Sequence, residues 1–121
     1  LYFYPKDDPP GCTAEACNLR DNYNDLLSRG FAVVGVSPDD EKSHTRFRNK
    51  YELPFSLISD PEKSILQAYN AWGEKNMYGK KTMGVLRSTF VIDESGNILK
   101  IFRKVNTGDH TKQILEELGI N

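Results

Sequence analysis

The sequence predicts an α/β fold with a central mixed β-sheet flanked by helices, and three observations predict it. Short apolar and β-branched runs alternate with segments whose apolar residues recur at three- and four-residue spacing. Pro, Gly and Asp punctuate the transitions between them. The last two apolar runs are joined by Glu94-Ser95-Gly96-Asn97, a hairpin signal that adds an antiparallel pair to an alternating β/α chain. A length of 121 residues suits one compact domain over residues 1–121.

Taken in order, Leu1 to Tyr4 is a short buried strand stopped by Pro5. It has no polar lead-in, so an N-terminal segment is expected to be missing ahead of it. The loop Lys6-Asp7-Asp8-Pro9-Pro10-Gly11 follows. From Thr13 to Arg29, Ala16, Leu19, Tyr23, Leu26 and Leu27 mark one face of an amphipathic helix, and Gly30 ends it as a C-cap. Phe31 to Val36 is a strand covered on both faces. Ser37-Pro38-Asp39-Asp40 opens a polar helix carrying Phe47 and Tyr51, stopped before Pro54. Phe55 to Ile58 is a brief strand. Asp60-Pro61-Glu62 starts a helix through Ile65, Leu66 and Tyr69, with an acidic cap and a proline at its first position. Asn70 to Leu86, rich in Gly and Lys, reads as a long loop. Ser88–Asp93 and Ile98–Arg103 are paired strands, and Thr107 to Leu118 is a final amphipathic helix. This is the thioredoxin-like order of elements.

Composition narrows the function. The formal charge is −1 with acids and bases interleaved, so no basic stripe marks a nucleic-acid or membrane surface. The longest apolar runs are a handful of residues, too short for a transmembrane helix. Two cysteines are too few for a disulfide scaffold or a cysteine-rich zinc site. His44 and His110 stand apart among charged residues and read as solvated surface. Asp7-Asp8 and Asp39-Asp40 sit at loop-to-helix transitions, where turn and capping roles suffice.

The chemistry concentrates between Pro5 and Cys17. Cys12 lies where a Pro/Gly loop becomes a helix, and the free N–H groups and positive dipole end there favour a thiolate, the nucleophilic form. Attack on a peroxide O–O bond gives a sulfenic acid. Cys17, five residues on, is the other thiol available to condense with it. On an ideal helix their Cα atoms lie about 8–9 Å apart, against roughly 4.4–6.8 Å in a disulfide. If Cys17 resolves Cys12, the helix must partly unwind. The competing reading is of two unrelated buried thiols.

The motifs Tyr2-Phe3-Tyr4-Pro5-Lys6-Asp7-Asp8, Pro10-Gly11-Cys12-Thr13-Ala14-Glu15-Ala16-Cys17 and Leu19-Arg20-Asp21 resemble the PrxQ, or bacterioferritin comigratory, subfamily of peroxiredoxins. So do Val34-Gly35-Val36-Ser37, Leu53-Pro54-Phe55, Trp72-Gly73-Glu74-Lys75 and Arg87-Ser88-Thr89-Phe90-Val91-Ile92-Asp93. The resemblance implies a thioredoxin-like fold and a peroxidase that reduces hydrogen peroxide and organic hydroperoxides without metal, haem, flavin or other cofactor. It implies a peroxidatic Cys12, a resolving Cys17 joined to it in an intramolecular disulfide, and thioredoxin as reductant. Arg87 would hold the thiolate and donate to the peroxide, Glu15 would orient an arginine, and Pro5, Gly11 and Thr13 complete the supporting set. A monomer in a bacterial cytoplasm is the corresponding assembly and location.

One departure bears on activity. The family pattern is Pro-x-x-x-Thr-x-x-Cys; Pro5 and Cys12 match, but Pro9 stands at the Thr position and has neither hydroxyl nor N–H. That motivates an alternative, a degenerate redox-sensing or binding module with weak or no peroxidase activity. A thioredoxin-like disulfide reductase ranks lower, because it calls for Cys-x-x-Cys and four residues separate these cysteines.

Overall fold

In a computed structural model, residues 1–120 are described. The central strand β1 (Tyr2–Phe3) pairs parallel with β2 (Val34–Ser37) and antiparallel with β6 (Ser88–Ile92). Strand β3 (Ser56–Ser59) adds parallel to β2, and β7 (Ile98–Phe102) antiparallel to β6, giving the order β3-β2-β1-β6-β7. The mixed sheet flanked by helices is therefore as the sequence predicts.

Alternation along β1 divides the core. Tyr2 and Tyr4 face Ala16, Leu19, Phe47, Phe55 and Ile114, while Phe3 faces Leu66, Ala71, Val85 and Phe90 on the other side. Gly35 is the close approach that lets this sheet pack. A Cβ there would sit 2.9 Å from both the Tyr2 ring and Leu57 Cδ2, inside van der Waals contact.

The first helix is not continuous. It forms α1 (Pro10–Asp21), breaks at Asn22, and resumes as α2 (Tyr23–Ser28). The Asn22 side-chain amide donates to the Asn18 carbonyl at 2.8 Å, competing locally with the helical ladder. Gly30 caps α2 as expected, at φ 87°, with Gly30 N–H bonded to Leu27 O and Phe31 N–H to Leu26 O. Phe31 thereby belongs to the helix exit, and β2 begins only at Val34.

Helix α3 (Glu41–Tyr51) starts at Asp40, whose carboxylate accepts from Ser43 N–H at 2.8 Å. Helix α4 is shorter than expected, Ser64–Ala68, because Pro61 lies in a turn and Lys63 is left-handed. Asp60 still serves its first turn, accepting from Leu66 N–H. Helix α5 (His110–Glu117) starts late because Asn106 Oδ1 accepts from the Gly108 and Asp109 amides, holding those residues in a turn.

The largest correction concerns the expected loop at 70–86. It is a β-hairpin, β4 (Trp72–Met77) with β5 (Lys80–Val85), in register from Trp72↔Val85 to Met77↔Lys80. Tyr78 and Gly79 both have positive φ, as a two-residue hairpin turn requires, and Tyr78 projects fully into solvent. Among the described residues no helix is long and apolar enough to cross a membrane.

The tight approach at Gly35 yields a stability test. Gly35→Ala overpacks the β1–β2–β3 junction and should cost about 1–3 kcal/mol, read as a lower urea midpoint at unchanged slope.

Candidate active site

Cys12 is the third residue of α1, and the sequence around it leaves the helix start open to an anion. Pro9 at the N-cap provides no side-chain cap, and the first turn carries no acidic residue. Pro10 has no N–H, Thr13 N–H is taken by Pro9 O, and helix geometry leaves the Gly11 and Cys12 amides without intrahelical acceptors. Cys12 is nonetheless only 3% exposed, so a thiolate there is held by the protein more than by water.

Arg87, just before β6, supplies the countercharge. Its Nη2 donates to Cys12 Sγ at 3.1 Å and its Nη1 to Glu15 Oε1 at 2.7 Å. Cys12 and Glu15, three residues apart, share one face of α1, so a single guanidinium fork reaches both. Glu15 is fully buried, and its Oε2 has no hydrogen-bond partner. Burial pushes its pKa up to about 7 against the opposing pull of Arg87.

The remaining predicted residues divide. Gly11 lies against Arg87, where a Cβ would be 3.7 Å from Nη2, an ordinary contact. Pro5 opens the loop. Thr13 ties the loop to α1: its hydroxyl donates to the Asp8 carbonyl at 3.0 Å. Cys17 is half-buried further along α1, and both thiols are free. Because Cys12 and Cys17 occupy one intact helix, a disulfide between them would require that helix to open.

Both histidines contradict the expectation of solvated surface; His44 is 3% and His110 0% exposed. The Gln113 amide donates to Lys104 O while its Oε1 accepts from Asn106 N–H, so Oε1 is the atom facing His110 Nδ1 at 2.8 Å. Nδ1 therefore carries a proton. Burial lowers the pKa of His110 and keeps it neutral, leaving Nε2 to accept from the Thr89 hydroxyl at 2.7 Å. That same Nε2 lies 3.7 Å from Glu15 Oε2, so His110 walls the far side of the carboxylate. Asp7 also exceeds its expected turn role, accepting from the Tyr4 and Ser43 hydroxyls and contacting His44 in the interior.

A thioredoxin-like sheet presenting a buried thiol at a helix N-terminus, under an arginine, defines a thiol-dependent oxidoreductase. The chain belongs to the AhpC/TSA family, whose model matches residues 1–101, and within it to the peroxiredoxins of Bcp/PrxQ type. It is 44% identical over 118 residues to the peroxiredoxin Bcp of Bacillus subtilis, covering 98% of this chain and 75% of that protein. To a putative peroxiredoxin of Coxiella burnetii it is 45% identical, covering 98% and 78%. Among solved structures it is similar to the bacterioferritin comigratory protein of Xanthomonas campestris, described for alkyl peroxide reduction, with TM-score 0.89, 37% identity and coverage of 98% and 75%. A PrxQ mutant from Xylella fastidiosa gives TM-score 0.90 at 34% identity, covering 98% and 74%. The chain is accordingly a peroxidase-class oxidoreductase.

The Glu15 environment generates a pH prediction. Its folded pKa of about 7 exceeds its ordinary 4.5, so the native state binds the extra proton and stability falls as pH rises between those values. The stability difference between the parent and Glu15→Gln should shift against the parent by about 2–4 kcal/mol across that range. Parallel urea titrations at several pH values check this, and a difference that does not change with pH contradicts it.

Proposed function

We propose that Cys12 is the peroxidatic thiolate of a hydroperoxide reductase. The observation that carries this reading is the 3.1 Å contact from Arg87 Nη2 to a thiol at an uncapped helix N-terminus. The sulfur attacks the terminal peroxide oxygen, an S–O bond forms, and the O–O bond breaks. The departing oxygen leaves as alcohol or water after taking a proton, and the sulfur is oxidised by two electrons to sulfenic acid. Arg87 and the Gly11 and Cys12 amides face the region where negative charge moves onto the leaving oxygen.

Cys17 then attacks the sulfenic sulfur, expelling water and forming the Cys12–Cys17 disulfide, and a thioredoxin dithiol returns both to thiols. The half-burial of Cys17 and its place on the same helix support this role, as does the family resemblance. Similarity to the Xanthomonas campestris protein supports alkyl hydroperoxides alongside hydrogen peroxide as substrates. The family also supports a monomer working in a bacterial cytoplasm.

Peroxide consumption with thioredoxin and its reductase tests the reading. Cys12→Ser should abolish turnover. Cys17→Ser should retain one stoichiometric attack and stop. Peptide mapping after one equivalent of peroxide should find Cys12 bonded to Cys17 in the parent; sustained turnover by Cys12→Ser would falsify the assignment. Pro9→Thr restores a hydroxyl beside the thiol and should raise the rate of peroxide attack on the order of 10²-fold, the scale of a single transition-state donor. Absence of turnover in the parent together with its recovery in Pro9→Thr favours the degenerate-module alternative.

A further inference from the structure

The buried His44 on α3 is not used by this chemistry, yet its surroundings constrain its charge. Its Nε2 lies 3.1 Å from the Ile58 carbonyl of β3, which can only accept, so Nε2 carries a proton. Its Nδ1 lies 2.8 Å from Asp7 Oδ2. Asp7 already accepts from the Tyr4 hydroxyl through Oδ1 and from the Ser43 hydroxyl through Oδ2, each at 2.6 Å. An acceptor so supplied with donors is ionised, and Nδ1 must donate to it as well. Burial alone would push Asp7 up, but hydrogen bonds from His44, Ser43 and Tyr4 outweigh it and hold the carboxyl below its ordinary range. Burial alone would lower His44, and the bond to Asp7 outweighs it and raises the ring instead.

Asp7 comes from the loop after β1, Tyr4 from β1, the Ile58 carbonyl from β3, Ser43 from α3 itself, and Asp39 from the turn before α3. Asp39 also accepts the Asp7 N–H at 2.6 Å. Lys6, Asp8, Arg46 and Lys50 line the groove outside Asp7.

Location gives this pair its meaning. Asp7 lies in the loop that delivers the chain to Pro9 and the start of α1. Its neighbour Asp8, at φ 79°, is tied to Lys50 and Tyr51 of α3. The exposed Lys50–Asp8 contact is weakened by solvent, whereas the His44–Asp7 contact is shielded. We propose that the His44 imidazolium is a latch, which through Asp7 holds closed the loop presenting Cys12 and opposes the α1 unwinding that joins Cys12 to Cys17. His44 is thus a positioning residue for the resolving step, and this role rests on the disulfide chemistry proposed above.

The sign follows from linkage. The closed site binds the His44 proton more tightly than the open one, so its contribution is complete below the ordinary histidine pKa and is lost as pH rises through the raised value. The Asp7 contribution is present above the ordinary carboxylate pKa and is lost as pH falls through the depressed one. The latch is strongest between the two.

Amide hydrogen exchange over the first two turns of α1 tests this on the dithiol protein without peroxide, from about pH 6 to about pH 9. After correction for intrinsic exchange, the opening equilibrium should rise as His44 titrates, about tenfold for each pKa unit separating closed from open forms. His44→Asn and Asp7→Asn should each be more open than the parent at about pH 6 and rise less with pH, keeping only the part that the Glu15 carboxyl on α1 contributes as it titrates at about 7, and the double variant should go no further than either. In the unmutated protein the ¹⁵N ring signals of His44 should show both nitrogens protonated at neutral pH. A neutral ring, a pH-independent opening in the parent, or the same step in His44→Asn overturns the latch. Failure of peroxide to form the Cys12–Cys17 disulfide defeats the resolving step instead, and the two outcomes are read on different samples.

Discussion

One guanidinium serves two buried acids, and the rest of the structure is arranged around that constraint. Arg87 has a fork and a single charge; Cys12 and Glu15 present a thiol and a carboxyl to it from adjacent turns of α1. For both contacts to form, α1 must lie across the sheet at a fixed rotation, and Arg87 must emerge beside its first turn. The second requirement is met by register: Phe3 of β1 is opposite Ser88 of β6, which puts the residue before Ser88 at the end of β1 where the loop to α1 begins. The first is met by side chains that tie α1 to its neighbours. Asn18 Oδ1 accepts from Thr111 N–H of α5, and Arg20 Nη1 donates to the Tyr51 carbonyl at the end of α3. His110 closes the back of the carboxylate while remaining neutral, so no second cation competes with Arg87 for it.

Helix α3 supports both flanks of the reactive segment. Upstream, Ser43 and His44 hold Asp7, and Lys50 and Tyr51 hold Asp8. Downstream, its last residue accepts from Arg20. The residues between these anchors include both cysteines. On the proposed chemistry, a helix that holds a thiol under an arginine and then releases it toward Cys17 benefits from fixed ends, because opening is confined to a short stretch and the chain returns to the same register.

Much of this was legible in the sequence where chemistry and local grammar coincide. Cys12 at a Pro/Gly helix start, the Gly30 cap and the Asp40 cap follow from short-range rules, and each occurs as expected. Arg87 and Glu15 were reachable only through family resemblance, since 72 residues separate two side chains that meet. What escaped depends on tertiary context. The hairpin at 72–85 carries Gly, Lys and Glu where strands usually carry β-branched residues; its pairing places Gly73 opposite Gly84, and the Tyr78-Gly79 turn was its one local signal. The histidines were misread because flanking charges on a helix report the neighbouring faces. His44 and His110 point inward, to an aspartate and a threonine that sequence separation hides.

The weak capping of α1 has a bearing on turnover. Natural helix starts are stabilised by Ser, Thr, Asp or Asn, or by acidic residues in the first turn; α1 has Pro9 at its cap and no acid there. On the proposed chemistry the thiolate of Cys12 is itself the anion at the helix N-terminus. Attack on peroxide converts it to a neutral sulfenic acid, and the stabilisation between negative sulfur, helix dipole and Arg87 is lost in the same step. The first turn is therefore held while the sulfur is charged and loosened once it is oxidised, which is when Cys17 must approach. A Ser or Asp cap would add stability to the helix start in both states, so with Pro9 at the cap the charge on Cys12 makes up a larger share of what holds the first turn closed.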